Sequence, residues 1–108
     1  MGYIRRGTTP THTFTSSTDL SEATALYVTY QQGGKTVVEK SLEDIAVTTD
    51  SDTGSCTMTV ELSQEETLAF DEKKQVEIQV RAAFANGTAL ASNIINSSPA
   101  RLLKEGVI

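Results

Sequence analysis

The sequence predicts an all-β fold: a single immunoglobulin-like antiparallel β-sandwich of about seven strands with one short helix. Short segments of alternating apolar and polar residues recur about every eight to twelve residues, which is typical of such sandwiches. Threonine and valine are common and tryptophan is absent, and this composition favours strands over helices. The cysteine pair and core tryptophan of antibody domains are missing, so only the architecture is predicted.

The chain of 108 residues is near the commonest size of one domain and is long enough to bury its own core. We expect a flexible N-terminal arm at residues 1–10, outside the sheets, and a sandwich domain at residues 11–108. No internal repeat divides the chain further.

The first strands are assigned from alternation and from the turn residues between them. Gly33-Gly34 separates two alternating segments and predicts a hairpin. Leu26, Val28 and Tyr30 are expected to face inward. The predicted strands cover residues 11–15, 25–31, 35–40, 45–48 and 56–62.

A capping box predicts the one helix. Ser63 precedes Glu66 by three residues, so the serine hydroxyl can accept from the Glu66 amide while the Glu66 carboxylate accepts from the Ser63 amide. We expect a helix of one or two turns that ends near Phe70.

Residues 76–95 predict a long hairpin around Asn86-Gly87. A two-residue loop would place an amide on the apolar face, opposite Val80. A three-residue loop with Gly87 as a left-handed bulge would instead place Ala82 opposite Leu90, Ile78 opposite Ile94 and Gln79 opposite Asn93. We therefore predict the three-residue loop, with residues 96–99 breaking the strand and residues 100–104 forming a last short strand or a docking tail.

Charge and hydrophobicity argue against several classes of protein. The net charge of −5 argues against non-specific nucleic-acid binding, which needs a cationic surface. No window has the eighteen or so apolar residues of a membrane-spanning helix, and no apolar run follows Arg5 and Arg6 as in a secretory signal. Cys56 is the single cysteine, so no internal disulfide is expected and folding in a reducing cytoplasm is predicted.

Asp52-Thr53-Gly54 matches the triplet from which retroviral-type aspartic proteases build a two-carboxylate site across a homodimer. Such a loop normally follows a buried apolar strand, whereas residues 48–51 are polar. We therefore favour a turn between strands and keep the homodimeric protease as an alternative.

Metal and nucleophile sites are weakly indicated. Asp50 and Asp52 begin a spacing like that of a calcium loop, but the required glycine is displaced and Glu61 lies in a predicted strand. His12 and Cys56 are the sole residues of their types, too few for a zinc site. They could form a nucleophilic pair by type, but Cys56 shares a face with Met58 and Val60 and is expected to be a small core residue. We predict no catalytic residue, no metal and no cofactor, and whether the Asp50–Asp52 loop binds a cation stays open.

Several segments, in order, carry a resemblance to a known family. They are Ile4-Arg5-Arg6-Gly7-Thr8-Thr9-Pro10-Thr11, a strand at 25–31, Leu62-Ser63-Gln64-Glu65-Glu66-Thr67, a strand at 76–81, Asn86-Gly87-Thr88, Ala91-Ser92-Asn93-Ile94 and Gly106-Val107-Ile108. In this order the chain resembles small structural proteins from prophages of Gram-positive bacteria, similar to the N-terminal domain of the baseplate upper protein of siphophage tails.

The resemblance implies a non-catalytic module of a phage tail or baseplate, made in the bacterial cytoplasm and located in the virion. Its partners would be other tail or baseplate proteins or a homo-oligomer, without nucleic acid or membrane. The candidate partner contacts lie in the arm and in an apolar C-terminal tail: Arg5, Arg6, Leu102, Leu103, Val107 and Ile108. A carbohydrate-binding sandwich is a further alternative, weakened because few aromatic residues remain once Phe14, Tyr30 and Phe84 are buried.

Overall fold

The computed structural model describes residues 3–108, in which strands predominate and helices are short: 51% and 8% of the residues respectively. The prediction of an all-β fold is confirmed at this level. A five-residue helix, α1 (Gln64–Leu68), and a 3₁₀ turn (Leu42–Asp44) complete the regular structure. The strands are β1 (Tyr3–Arg5), β2 (Thr11–Ser16), β3 (Ala23–Gln32), β4 (Lys35–Ser41), β5 (Ala46–Thr49), β6 (Cys56–Glu61), β7 (Val76–Phe84), β8 (Ala89–Ala91) and β9 (Ile95–Ala100).

The strands of the described chain form two sheets. The larger has the order β1-β9-β7-β3-β4, with β8 pairing beside β7, and the smaller has the order β2-β6-β5. All pairings are antiparallel except that of β1 with β9, so the larger sheet is mixed. Within residues 3–108, nine strands replace the expected seven or so, because β1 is added and the returning arm of the long hairpin is divided into β8 and β9.

Both sheets contribute to one hydrophobic core. Alternate residues of β3 and β7 face inward, as their period of two predicts, and Leu26, Val28 and Tyr30 are buried as expected. The smaller sheet buries Phe14 and Met58 in the same cluster.

The capping box of α1 forms as predicted. Ser63 Oγ accepts from Glu66 N at 3.1 Å, and Glu66 Oε1 accepts from Ser63 N at 2.8 Å. Lys40 lies 2.9 Å from the same carboxylate. Burial favours the neutral acid, but the hydrogen bonds from Lys40 and Ser63 outweigh it and lower the pKa of Glu66.

The hairpin loop has the predicted three residues, but its register changes further along. Phe84 N donates to Thr88 O, Gly87 has a φ of 90°, and Ala82 lies opposite Leu90. These observations confirm the loop with Gly87 in the left-handed conformation that glycine tolerates.

Beyond the loop, the predicted pairing of Ile78 with Ile94 is wrong, since Ile78 pairs with Ile95. Ser92 N donates to Val80 O at 2.8 Å, while Val80 N donates to the Ser92 hydroxyl at 3.0 Å. Two residues, 93 and 94, then stand against one residue of β7, which defines a β-bulge. The bulge turns Ile94 outward, where it is 54% exposed.

The expected break at residues 96–99 is also wrong, because β9 continues through Pro99 to Ala100. Its last pair with β7 joins Ser97 to Val76, the first residue of β7. Pro99 lies two residues beyond that pair, where β7 has not yet begun. No hydrogen bond to β7 is therefore lost because Pro99 has no N–H. The opposite edge of β9 pairs with β1 over residues 98–100.

The expectation of an arm outside the sheets is wrong for Tyr3–Arg5, which form β1 parallel to β9. Ile4 is buried in the core and accounts for the docking of this short strand. Residues 1 and 2, also assigned to the arm, lie outside the described residues.

The side chain of Gln32 holds the turn that leads into β7. Its amide nitrogen donates to the carbonyls of Asp71 and Lys74, and its oxygen accepts from Asp71 N, all at 2.9 Å. This buried amide thereby links the end of β3 to residues 71–74.

We expect Gln32→Ala to lower the free energy of unfolding by about 1–3 kcal/mol, because it removes three hydrogen bonds from a buried site. Chemical denaturation measures the change. Gln31→Ala is the matched control on the same strand, and its change should stay within about 0.5 kcal/mol. Equal effects of the two substitutions would contradict this role of Gln32.

Candidate interaction surface

The Asp52-Thr53-Gly54 triplet forms an exposed polar turn. Asp50 Oδ1 accepts from Asp52 N at 2.9 Å, and Gly54 N donates to Asp50 O at 2.8 Å. Asp52 is exposed, so its carboxylate lacks the dry surroundings in which two acids share a proton. One carboxylate oxygen of Asp50 already accepts within the turn.

His12 is a buried core residue that contacts the other sheet. Its Nδ1 lies 2.7 Å from the Tyr30 hydroxyl. Burial lowers the pKa of His12 and thereby favours the neutral ring in this hydrogen bond. Burial, and secondarily the charge of Glu66, raises the pKa of Tyr30 well above its ordinary value.

Cys56 lies apart from His12. In the β2–β6 register, Cys56 is opposite Ser16 and His12 is opposite Val60, which is four residues, about 13 Å, along the ladder. The thiol is fully buried, and this spacing does not favour a nucleophilic pair. Within residues 3–108, no three His, Cys, Asp or Glu residues cluster so as to hold a metal ion.

Arg5 and Arg6, predicted as partner contacts, bind groups of their own chain. Arg5 Nη1 donates to Arg101 O at 2.9 Å. The Arg6 guanidinium donates to Phe70 O at 2.8 Å and to Leu68 O at 3.0 Å, at the C-terminal end of α1, where a cation is favourable. It also pairs with Glu105 at 2.6 Å.

The C-terminal segment is held against α1 at two points. Glu105 pairs with Arg6, and the backbone of Ile108 exchanges two hydrogen bonds with the Gln64 amide, of 2.9 and 3.3 Å. Leu102 lies against Gly7, whose φ of 73° and lack of a Cβ permit the approach: a Cβ there would be 2.5 Å from Leu102 Cδ1.

Three apolar side chains of this segment nevertheless face solvent. Leu103 is 90% exposed, Val107 57% and Ile108 87%. The hydrogen bonds and the ion pair therefore position the segment while its largest apolar groups remain uncovered. Of the predicted apolar contacts, Leu102 alone packs on the domain itself.

A second surface was missed by the sequence analysis. The outer face of the larger sheet contains a hollow of about 480 Å³. Tyr27, 43% exposed, and the outward-turned Ile94 contribute its apolar surface. The polar lining includes Gln31, Glu39, Gln79 and Arg81. Tyr27 alternates with inward residues of β3 and could have been found from that period; Ile94 depends on the bulge.

A third feature lies along the open side between the sheets. A slot of about 750 Å³ runs beside β2 and has no charged residue in its lining. Phe14, Leu20, Leu90 and Ile95 supply apolar surface, and residues 13–16 of β2 are part of the lining. The sequence analysis did not identify this slot, because it forms between strands that are distant in the chain.

Comparison with known proteins leaves these surfaces without a family assignment: no protein-family model matches the chain, and no curated protein is significantly similar to it. No helix within the described part of the chain has the length and hydrophobicity needed to cross a bilayer.

Because burial lowers the pKa of His12, the folded chain binds this proton more weakly than the unfolded chain does. The contribution of neutral His12 to the stability of the fold is complete above the ordinary pKa of 6.5. It decreases as the pH falls through and below that value, because the unfolded chain then binds the proton more strongly. We expect the free energy of unfolding to fall between about pH 7 and pH 5, with a His12 contribution of at most about 1.4 kcal/mol per pH unit.

Denaturation at a series of pH values measures this dependence, and His12→Gln should flatten it. The pKa values of Asp19 and Glu66 are lowered from 3.8 and 4.5, so these carboxylates contribute to the slope mainly at the acid end of the window and below it. An unchanged slope in His12→Gln would show that another group is responsible.

Proposed function

We propose that this chain is a non-catalytic structural protein of a phage or prophage tail or baseplate and acts through contacts with other proteins. The observation that carries the proposal is the exposure of Leu103, Val107 and Ile108 on a segment that the domain itself holds in place. Several exposed apolar groups on one short segment are typical of interaction sites. The resemblance found in the sequence supplies the class of partner.

We further propose that the fold is immunoglobulin-like. The order β2-β6-β5 agrees with strands B, E and D of that fold, and β4-β3-β7-β9 agrees with C′, C, F and G. β1, parallel to β9, takes the place of a first strand that has crossed to the second sheet. Such sandwiches serve many functions. The topology therefore supports the proposed architecture, and the proposed function is argued from the surfaces.

Replacing the exposed apolar groups should weaken assembly and leave folding intact. We expect the triple variant Leu103→Ser/Val107→Ser/Ile108→Ser to have a free energy of unfolding within about 0.5 kcal/mol of that of the wild type, because these side chains are mainly in solvent. Its recovery in purified phage particles from an induced host should fall severalfold, measured by quantitative mass spectrometry. Leu102 and Glu105 are retained because both contact the domain.

The matched control is Leu42→Ser, which removes an exposed leucine from the 3₁₀ turn and should leave recovery unchanged. Undiminished recovery of the triple variant would contradict a tail-mediated contact. Absence of the wild-type chain from the particles would contradict the virion function itself.

The alternative of a homodimeric aspartic protease gains no support from the exposed turn around Asp52. The carbohydrate-binding alternative is favoured by one observation, the hollow that contains Tyr27. An exposed aromatic ring can pack against a sugar face, and Gln31, Gln79 and Glu39 can pair with hydroxyl groups.

If the hollow binds carbohydrate, an oligosaccharide should shift the amide resonances of β3, β4 and β7 selectively. We would titrate the labelled chain with cellohexaose, maltohexaose and chitohexaose and follow the shifts by NMR. Tyr27→Ala should abolish them, whereas Tyr3→Ala, at an exposed tyrosine elsewhere, should not. No selective shift with any of these three sugars would count against this alternative.

A further inference from the structure

The outer edge of β2 is an unpaired strand edge in the described chain. β2 is the first strand of the order β2-β6-β5 and pairs with β6 alone. An edge of this kind presents backbone donors and acceptors to a further strand. The uncharged slot described above lies beside this strand, and residues 13–16 are part of its lining.

The hydrogen-bond pattern identifies which residues of β2 point outward. Leu62 N donates to Pro10 O at 3.0 Å, which makes residues 10 and 62 a hydrogen-bonded pair. Such pairs alternate along an antiparallel ladder, so His12 and Phe14 direct their backbone groups at β6. Thr11, Thr13 and Thr15 direct theirs away from the sheet, and their side chains are exposed as well.

β2 lacks the features with which proteins protect sheet edges. It has six residues with no charge, proline or register shift among them, whereas charged side chains and bulges are the usual protection. Of the outer strands of the larger sheet, β4 carries Lys35, Glu39 and Lys40, and β1 has only three residues. The other outer strand of the smaller sheet, β5, is only four residues long.

We propose that β2 pairs with β2 of a second copy of this chain, antiparallel about a two-fold axis at Thr13. Thr13 then lies opposite Thr13 of the second copy, and Thr11 lies opposite Thr15. All three residues with outward backbone groups thereby meet one another, as a two-fold interface requires. Every cross-strand pair on the outer face is Thr–Thr, a favourable pair in sheets.

The result is a continuous six-stranded sheet built from two three-stranded sheets. The slot beside the pairing edge has an uncharged lining, which includes Leu90, 38% exposed. This pairing deepens the proposed function by naming a partner and rests on it for its biological role. Its test, however, needs only the purified chain.

Thr13→Lys should disrupt the pairing, because the two-fold axis brings the new charge against its own copy. Analytical ultracentrifugation over a range of concentrations should show a monomer–dimer equilibrium for the wild type. The dissociation constant should rise about tenfold or more in Thr13→Lys, which corresponds to about 1.4 kcal/mol. Thr59→Lys is the matched control, since Thr59 is opposite Thr13 on the inner strand β6, and it should leave dimerisation unchanged.

Cysteine cross-linking tests the register. At the axis, the Cα atoms of a hydrogen-bonded pair are about 5.5 Å apart, within disulfide range. Thr13→Cys should therefore give a covalent dimer under mild oxidation, whereas Thr15→Cys should not. Cys56 is fully buried and stays in place in both variants.

A wild type that is monomeric at millimolar concentration would overturn the inference, as would a dimer that Thr13→Lys leaves intact. Cross-linking of Thr15→Cys as efficient as that of Thr13→Cys would overturn the proposed axis. Particle recovery is measured independently, so a missing dimer with normal recovery would leave the proposed function standing.

Discussion

The burial of Tyr30 is the constraint on which the rest of the structure depends. It is the largest fully buried side chain and lies on β3, which pairs with a strand on each side. Its hydroxyl would be costly to bury without a partner, and His12 on β2 of the smaller sheet provides one. The same ring packs against Phe70 at 6.0 Å between centroids. Through these contacts, the Tyr30 side chain links the two sheets to each other and to the segment after α1.

A second group of contacts consists of hydrogen bonds that join residues near both ends of the described chain to α1. Thr67 Oγ1 donates to Thr8 O and accepts from Thr8 N, while Arg6 donates to carbonyls at the end of the helix. Gln64 holds the backbone of Ile108. A helix this short has little stability of its own, so these tertiary bonds account for it. They also determine that the exposed apolar side chains of the C-terminal segment lie at this end of the domain.

The proposed function and the proposed dimer use different surfaces, and their chemistry differs accordingly. The tail presents exposed apolar side chains, which suit a complementary pocket on another protein. The edge of β2 presents backbone groups and threonines, which suit a second strand of the same kind. The outer hollow around Tyr27 is polar, with carboxylate and guanidinium groups together. Because the three surfaces do not overlap in residues, their contributions can be separated by substitution.

The sequence by itself determined the strands with a clear period of two, the two glycine turns and the helix cap, since each depends on neighbours in the chain. It determined the three-residue loop around Gly87 for the same reason. Only the tertiary structure decided the bulge at residues 93 and 94, because it depends on the hydrogen bond that the Ser92 hydroxyl accepts from Val80 N. It likewise decided that β1 joins the sheet, that β9 passes through Pro99 and that Arg6 caps α1. The Tyr27 hollow and the open edge of β2 also followed from tertiary structure, because surfaces form between strands that the sequence keeps far apart.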